Sequence, residues 1–121
     1  VTRITMAKVD LTIPEQQVIG EVLRAFASGR FVSNDLMHTL LGYGIRDIQK
    51  LCHLWGESHW SELDDEQIWL VGAVFDTLLA YPHDRWALWY RYVHVSPRNA
   101  ERIFDKWNYL TVSDDVDQND C

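Results

Sequence analysis

The chain reads as an all-α protein, a compact bundle of five or six short helices around a central apolar helix at about 65–80. Three observations predict this. Apolar residues recur at helical spacing along several stretches. Capping residues precede those stretches, and glycine or proline follows them. The one strand-like run, Tyr90 to Val95, has no second strong strand to pair with.

Residues 1–11 alternate weakly at Ile4, Met6, Val9 and Leu11 and are expected to be extended. A first helix opens at Thr12-Ile13-Pro14-Glu15, where Thr12 caps, Glu15 returns the bond and Pro14 needs no partner for its missing N–H. Val18, Val22, Leu23 and Phe26 form its apolar stripe, and Gly29 stops it. A second helix runs from a cap at Ser33 or Asn34 to Leu41 and breaks at Gly42-Tyr43-Gly44. The third spans Ile45 to about Trp55, burying Ile48, Leu51, Cys52 and Trp55, with Gly56 after it. Residues 57–63 read as a loop or one short turn.

The fourth helix has Asp64 as cap and Gln67 at the capping-box position. From Ile68 to Ala80 it is apolar at nearly every position, which predicts the central place. Pro82 ends it. Asp84 is expected to cap a fifth helix carrying Trp86, Trp89, Tyr90 and Val93. Ser96-Pro97 then opens a last helix with Ala100, Ile103, Phe104 and Trp107 inward. The organisation is an extended segment at 1–11, one helical domain at 12–110 and a disordered acidic tail at 111–121.

With 47% apolar residues in 121, the chain has enough to build a core without staples. Six Trp raise the odds of a tight core, a binding face, or both. Cys52 and Cys121 are expected to be free thiols, and with no apolar run long enough to span a bilayer the reading is cytoplasmic.

Charge is distributed unevenly. Four of the seven net negative charges belong to Asp114, Asp115, Asp117 and Asp120. No Lys or Arg occurs between Lys50 and Arg85, an interval holding Glu57, Glu62, Asp64, Asp65, Glu66, Asp76 and Asp84. An acidic rim around an exposed aromatic anchor steers and holds a basic protein. The expected partner-binding residues are therefore Glu57, His59, Trp60, Glu62, Asp64 and Asp65, with Trp60 as anchor.

Other chemistries are less well marked. Leu40 to Leu51 has helix-turn-helix spacing around Gly42, and the second helix offers Arg46, Gln49 and Lys50 to DNA. Three such residues on a chain of net charge −7 neutralise few phosphates, so nucleic acid is not the expected partner. Arg98, Arg102 and Lys106 line one face of the last helix and read as a solvated, salt-bridged surface. His38, His53, His59, His83 and His94 show no metal-ligand spacing, so neither metal nor cofactor is expected. No nucleophile motif or Gly-rich phosphate loop appears, and the chain is read as a non-enzyme, with an unmarked small helical enzyme as second alternative.

Several of these features also resemble a known family. Gly29-Arg30-Phe31-Val32-Ser33 closing a first helix, Trp55 and Trp60 before an acidic break, the helix end Phe75…Leu79-Ala80-Tyr81-Pro82 and a closing helix look like the bacteriocin immunity proteins of the colicin D type. The similarity covers roughly residues 20–108 as a pattern, with the segment between Gly42 and Glu57 departing from it. The resemblance implies a stoichiometric inhibitor that covers the active site of a basic nuclease toxin with acidic side chains.

Overall fold

The computed structural model describes residues 10–57 and 59–120, with side chains described as far as Thr111. Among the described residues six α-helices follow in order: α1 Ile13–Ala27, α2 Asn34–Leu41, α3 Ile45–Glu57, α4 Asp65–Ala80, α5 Trp86–Tyr92 and α6 Pro97–Asp120. One 3₁₀ turn, Trp60–Glu62, joins α3 to α4. The described residues include no strand, so the run at 86–95 resolves as helix to Tyr92 and extended chain at Val93. The extended segment expected at 1–11 lies outside the described residues except for Asp10 and Leu11. The side chains of the expected acidic tail, beyond Thr111, also lie outside them.

Local chemistry sets most of the helix ends. Thr12 Oγ1 accepts from Glu15 N–H at 3.2 Å while Glu15 Oε1 accepts from Thr12 N–H at 2.8 Å, a reciprocal capping box. Asp64 and Gln67 repeat it on α4, at 2.8 and 2.9 Å. Ser33 caps α2 and the Ser96 hydroxyl accepts from Asn99 N–H. Gly29 and Gly42 leave α1 and α2 at φ +75° and +79°, where a Cβ would be strained.

Two ends differ from expectation. Asp84 does not cap α5: it sits at φ +60°, and the capping position is Arg85, without a side-chain bond. The His83 ring braces the approach to the helix instead, its Nδ1 accepting from Arg85 N–H at 3.0 Å while the ring packs on Trp86. Gly56 does not stop α3, which continues to Glu57. A His53–Glu57 pair at 3.1 Å spans that last turn, and Gly56 has no positive φ to break it.

The hub of the packing is α1, which lies against α3, α4, α5 and α6. Its Val18, Ile19, Val22, Leu23, Ala25 and Phe26 are all buried. Gly20 lets Trp55 lie on α1, for a Cβ there would come within 3.1 Å of the indole. The indole N–H donates to Gln16 O at 3.0 Å. The α4 helix shares the centre through Leu70, Val71, Val74, Phe75 and Leu78, and Phe75 stacks on Phe104 at 5.3 Å.

It is not covered all round, however. Trp69 is 54% exposed, and Asp65, Asp76 and Ala80 are exposed on the same side. Composition hid this because Gly72, Ala73 and Ala80 count as apolar while covering little. Trp89 and Trp107 fill the core, and Trp55 and Trp60 meet Trp107 edge-on at 5.8 and 5.6 Å. No helix among the described residues is long and apolar enough to cross a membrane.

Candidate protein-binding face

The acidic interval is displayed by the end of α3, the 3₁₀ turn and the first turns of α4. Glu57, His59, Glu62, Asp64, Asp65 and Glu66 are all exposed. None of these carboxylates meets a Lys or Arg within ion-pair distance among the described residues. The arginines of α5 and α6 form no ion pair with this surface among the described residues. Some of the acids do local work as well: Asp64 caps α4 and Glu57 faces His53. His59 turns its Nδ1 back toward Ser61, 2.7 Å from the hydroxyl, and so stabilises the 3₁₀ turn.

Trp60 is not the exposed anchor expected of it. Its ring is half-buried against Trp107 and beside His59, and its indole N–H donates to Asp10 at 3.1 Å. A tryptophan at the start of a short turn over the bundle end folds inward because its apolar area finds Trp107 there.

Within the acidic interval the exposed aromatic is Trp69 instead. It stands four residues after Asp65 and seven before Asp76, which places all three on one face of α4. Tyr43, from the α2–α3 turn, lies beside it at 6.3 Å and donates its hydroxyl hydrogen bond to Glu66. Sequence reasoning missed this pair because Trp69 sits in a run of apolar residues that looked uniformly inward. The useful signal was the Asp65-x₃-Trp69-x₆-Asp76 register, which puts charges on the tryptophan's side of the helix.

The negative surroundings act on Tyr43 itself. Its hydroxyl is pushed above the usual tyrosine pKa, first by the hydrogen bond to Glu66, then by desolvation and the negative charges of Glu66, Asp47 and Asp64. Three carboxylates thus converge on the Tyr43 side of the aromatic pair.

Arg46, Gln49 and Lys50 share one exposed face of α3, after the left-handed turn at Gly42. They line a groove between α3 and α4 whose other lining groups include Asp47, Glu57 and Glu66. Cys52 is partly buried on α3, and burial pushes its thiol up to about 11 against a smaller opposing pull from Arg24. Among the described residues no group of three or more His, Cys, Asp and Glu is placed to hold a metal ion.

Comparison with known proteins gives no assignment: no family model, curated protein or solved structure matches the chain.

Proposed function

We propose that the chain is a non-enzymatic protein-binding module that holds a basic partner, acting as a small inhibitor in the manner of a toxin-immunity protein. The observation that carries this reading is the exposed Trp69, flanked on its own helix face by Asp65 and Asp76 and bordered by Glu66, with no Lys or Arg paired to any of them among the described residues. A flat indole offers area at little entropic loss and attracts a guanidinium to its face, while the surrounding carboxylates speed encounter with a cationic surface. Glu57, Glu62 and Asp64 extend the acidic rim beyond it. The resemblance to colicin D-type immunity proteins supports the same class, a stoichiometric blocker of a basic nuclease.

A helix-turn-helix reading keeps one observation in its favour, the common exposed face of Arg46, Gln49 and Lys50. Against it, Asp47, Glu57 and Glu66 share that groove and would oppose a phosphate backbone.

The test is affinity capture with wild type and with the Asp65→Lys/Asp76→Lys variant, followed by activity assays on what is retained. The reading expects a basic protein, lost on charge reversal, whose nuclease activity the chain blocks one to one. Retention of the same proteins by the reversed variant, or tight binding of duplex DNA by the wild type at low salt, would refute it.

A further inference from the structure

The helix α5 has only 7 residues, and a histidine stands near each of its ends, His83 before Trp86 and His94 after Tyr92. Both ring nitrogens of His83 are engaged, by partners of opposite kind. Nε2 lies 3.0 Å from Leu78 O, a carbonyl that only accepts, so Nε2 carries the proton. Nδ1 lies 3.0 Å from the Arg85 nitrogen, whose N–H donates to it, so Nδ1 is unprotonated. The two contacts together admit one species of the ring, the neutral Nε2–H tautomer. It sits edge-on to Phe31 at 5.1 Å and against Trp86 at 4.6 Å, closing the corner between α4 and α5.

Arg85 is where this corner bears on the helix. Its carbonyl accepts from Leu88 and Trp89 N–H at 3.0 and 3.1 Å, the first bonds of α5, and no side chain caps that end. The backbone that starts α5 is therefore oriented through the His83 ring.

His94 is built the other way. Its Nδ1 stands 2.7 Å from both Glu21 oxygens, and its backbone N–H donates to the same carboxylate at 3.0 Å. A carboxylate only accepts, so this Nδ1 donates. A further proton on the His94 ring falls on Nε2 and leaves the contact intact.

We infer that His83 is a pH-sensitive latch. Protonation of Nδ1 sets two donors against each other, expels the ring and loosens the first turn of α5, while the His94 end stays fixed. The bonded form is the neutral one, so the latch is closed above the histidine range and opens as pH falls through it. On the elements packed against the ring, the ionisable groups nearest its contacts in sequence are Arg30 beside Phe31, Asp76 and Tyr81 about Leu78, Asp84 and Arg85 in its own turn, and Arg91 and Tyr92 on α5. None of their side chains forms a hydrogen bond or ion pair with the ring among the described residues. Trp86 is exposed, and there the attraction of a charged ring to an aromatic face is weak. The device is independent of what the Trp69 face binds.

The experiment uses the full chain, ¹⁵N-labelled, taken in steps from about pH 7.5 to about 5. Long-range ¹H–¹⁵N correlation should show His83 as the Nε2–H form at the start. On acidification the Arg85 amide proton should move upfield in step with the ring's titration. Protection of the Leu88 and Trp89 amides against exchange should fall at least about tenfold, the scale of one hydrogen bond lost. Protection at Val22 and Phe26 in α1 should hold. His83→Asn keeps an acceptor for Arg85 N–H but has no titrating nitrogen, and should abolish the acid response; His94→Gln should leave it in place. The inference is overturned by an Nδ1–H or doubly protonated ring at neutral pH, or by unchanged Leu88 and Trp89 protection in acid. It is equally overturned by an acid response that persists in His83→Asn or vanishes in His94→Gln. Simultaneous loss of protection in α1 would overturn it in favour of acid unfolding of the whole domain. Should His83→Asn not fold, the tautomer and the wild-type protection pattern decide.

Discussion

Trp60 and Trp69 should exchange the roles that their sequence surroundings suggest, and truncating each to Ala separates them. A fully buried Trp removed to Ala costs about 3–5 kcal/mol. Trp60 is half-buried, so about half of that applies, and the edge-on contact with Trp107 at 5.6 Å adds about 0.5–1 kcal/mol. The expected loss for Trp60→Ala is about 2–3 kcal/mol. Trp69 is 54% exposed and its ring touches Tyr43 at the surface. Trp69→Ala should cost within about 1 kcal/mol. Urea unfolding followed by far-ultraviolet circular dichroism reads both, through midpoints at constant slope. If Trp69→Ala proved the more destabilising of the two, or Trp60→Ala stayed within about 0.5 kcal/mol of wild type, the assignment of core and surface tryptophans would be wrong.

Further outcomes follow from the same structure. Gly42 has open space around a Cβ but φ +79°, so Gly42→Ala should cost about 1 kcal/mol through backbone strain alone, read as a lower unfolding midpoint. Gly29→Ala should cost more, because its Cβ also comes within 3.1 Å of Ile45 Cδ1. Cys52, with its thiol raised to about 11, should resist iodoacetamide at neutral pH in the native chain and react promptly in denaturant. The same shift, upward from an ordinary thiol, gives stability that is complete below the unfolded value near 9 and lost as pH climbs toward 11. Cys52→Ala should flatten that alkaline decline. At Glu15, burial alone would raise the carboxyl; the Lys106 hydrogen bond at 2.9 Å and the Thr12 N–H outweigh it and hold it below its usual value. Lys106→Met should therefore lower stability at neutral pH by about 1 kcal/mol or less, a difference that vanishes as pH falls through the Glu15 titration.

Much of the fold was legible because local chemistry dictated it. The Thr12/Glu15 and Asp64/Gln67 boxes and the positive-φ glycines need only neighbours in sequence to act. The stripe Val18, Val22, Leu23 and Phe26 pointed inward as its period required. What escaped was decided by tertiary contact. Asp84 is turned out of its expected capping role at φ +60°, beside a His83 ring held by Phe31 and Trp86. Trp60 turned inward because Trp107, 47 positions away, presents an apolar edge there. The acidic interval was readable as composition, but its anchor was not, since an apolar run gives no sign of which turn faces water. Only the Asp65, Trp69 and Asp76 register carried that information. The cation-bearing face of α3 was legible as Arg46, Gln49 and Lys50; that it borders carboxylates across a groove was not.

The affinity of Trp69→Ala for the captured basic partner, measured beside wild type and Trp60→Ala by titration calorimetry at one ionic strength, tests the central claim most directly. A central aromatic anchor is worth about 2 kcal/mol or more, so Trp69→Ala should bind at least about thirtyfold more weakly, while folded Trp60→Ala binds nearly as wild type. Equal affinity of Trp69→Ala and wild type would contradict the account, whatever the acidic rim contributes.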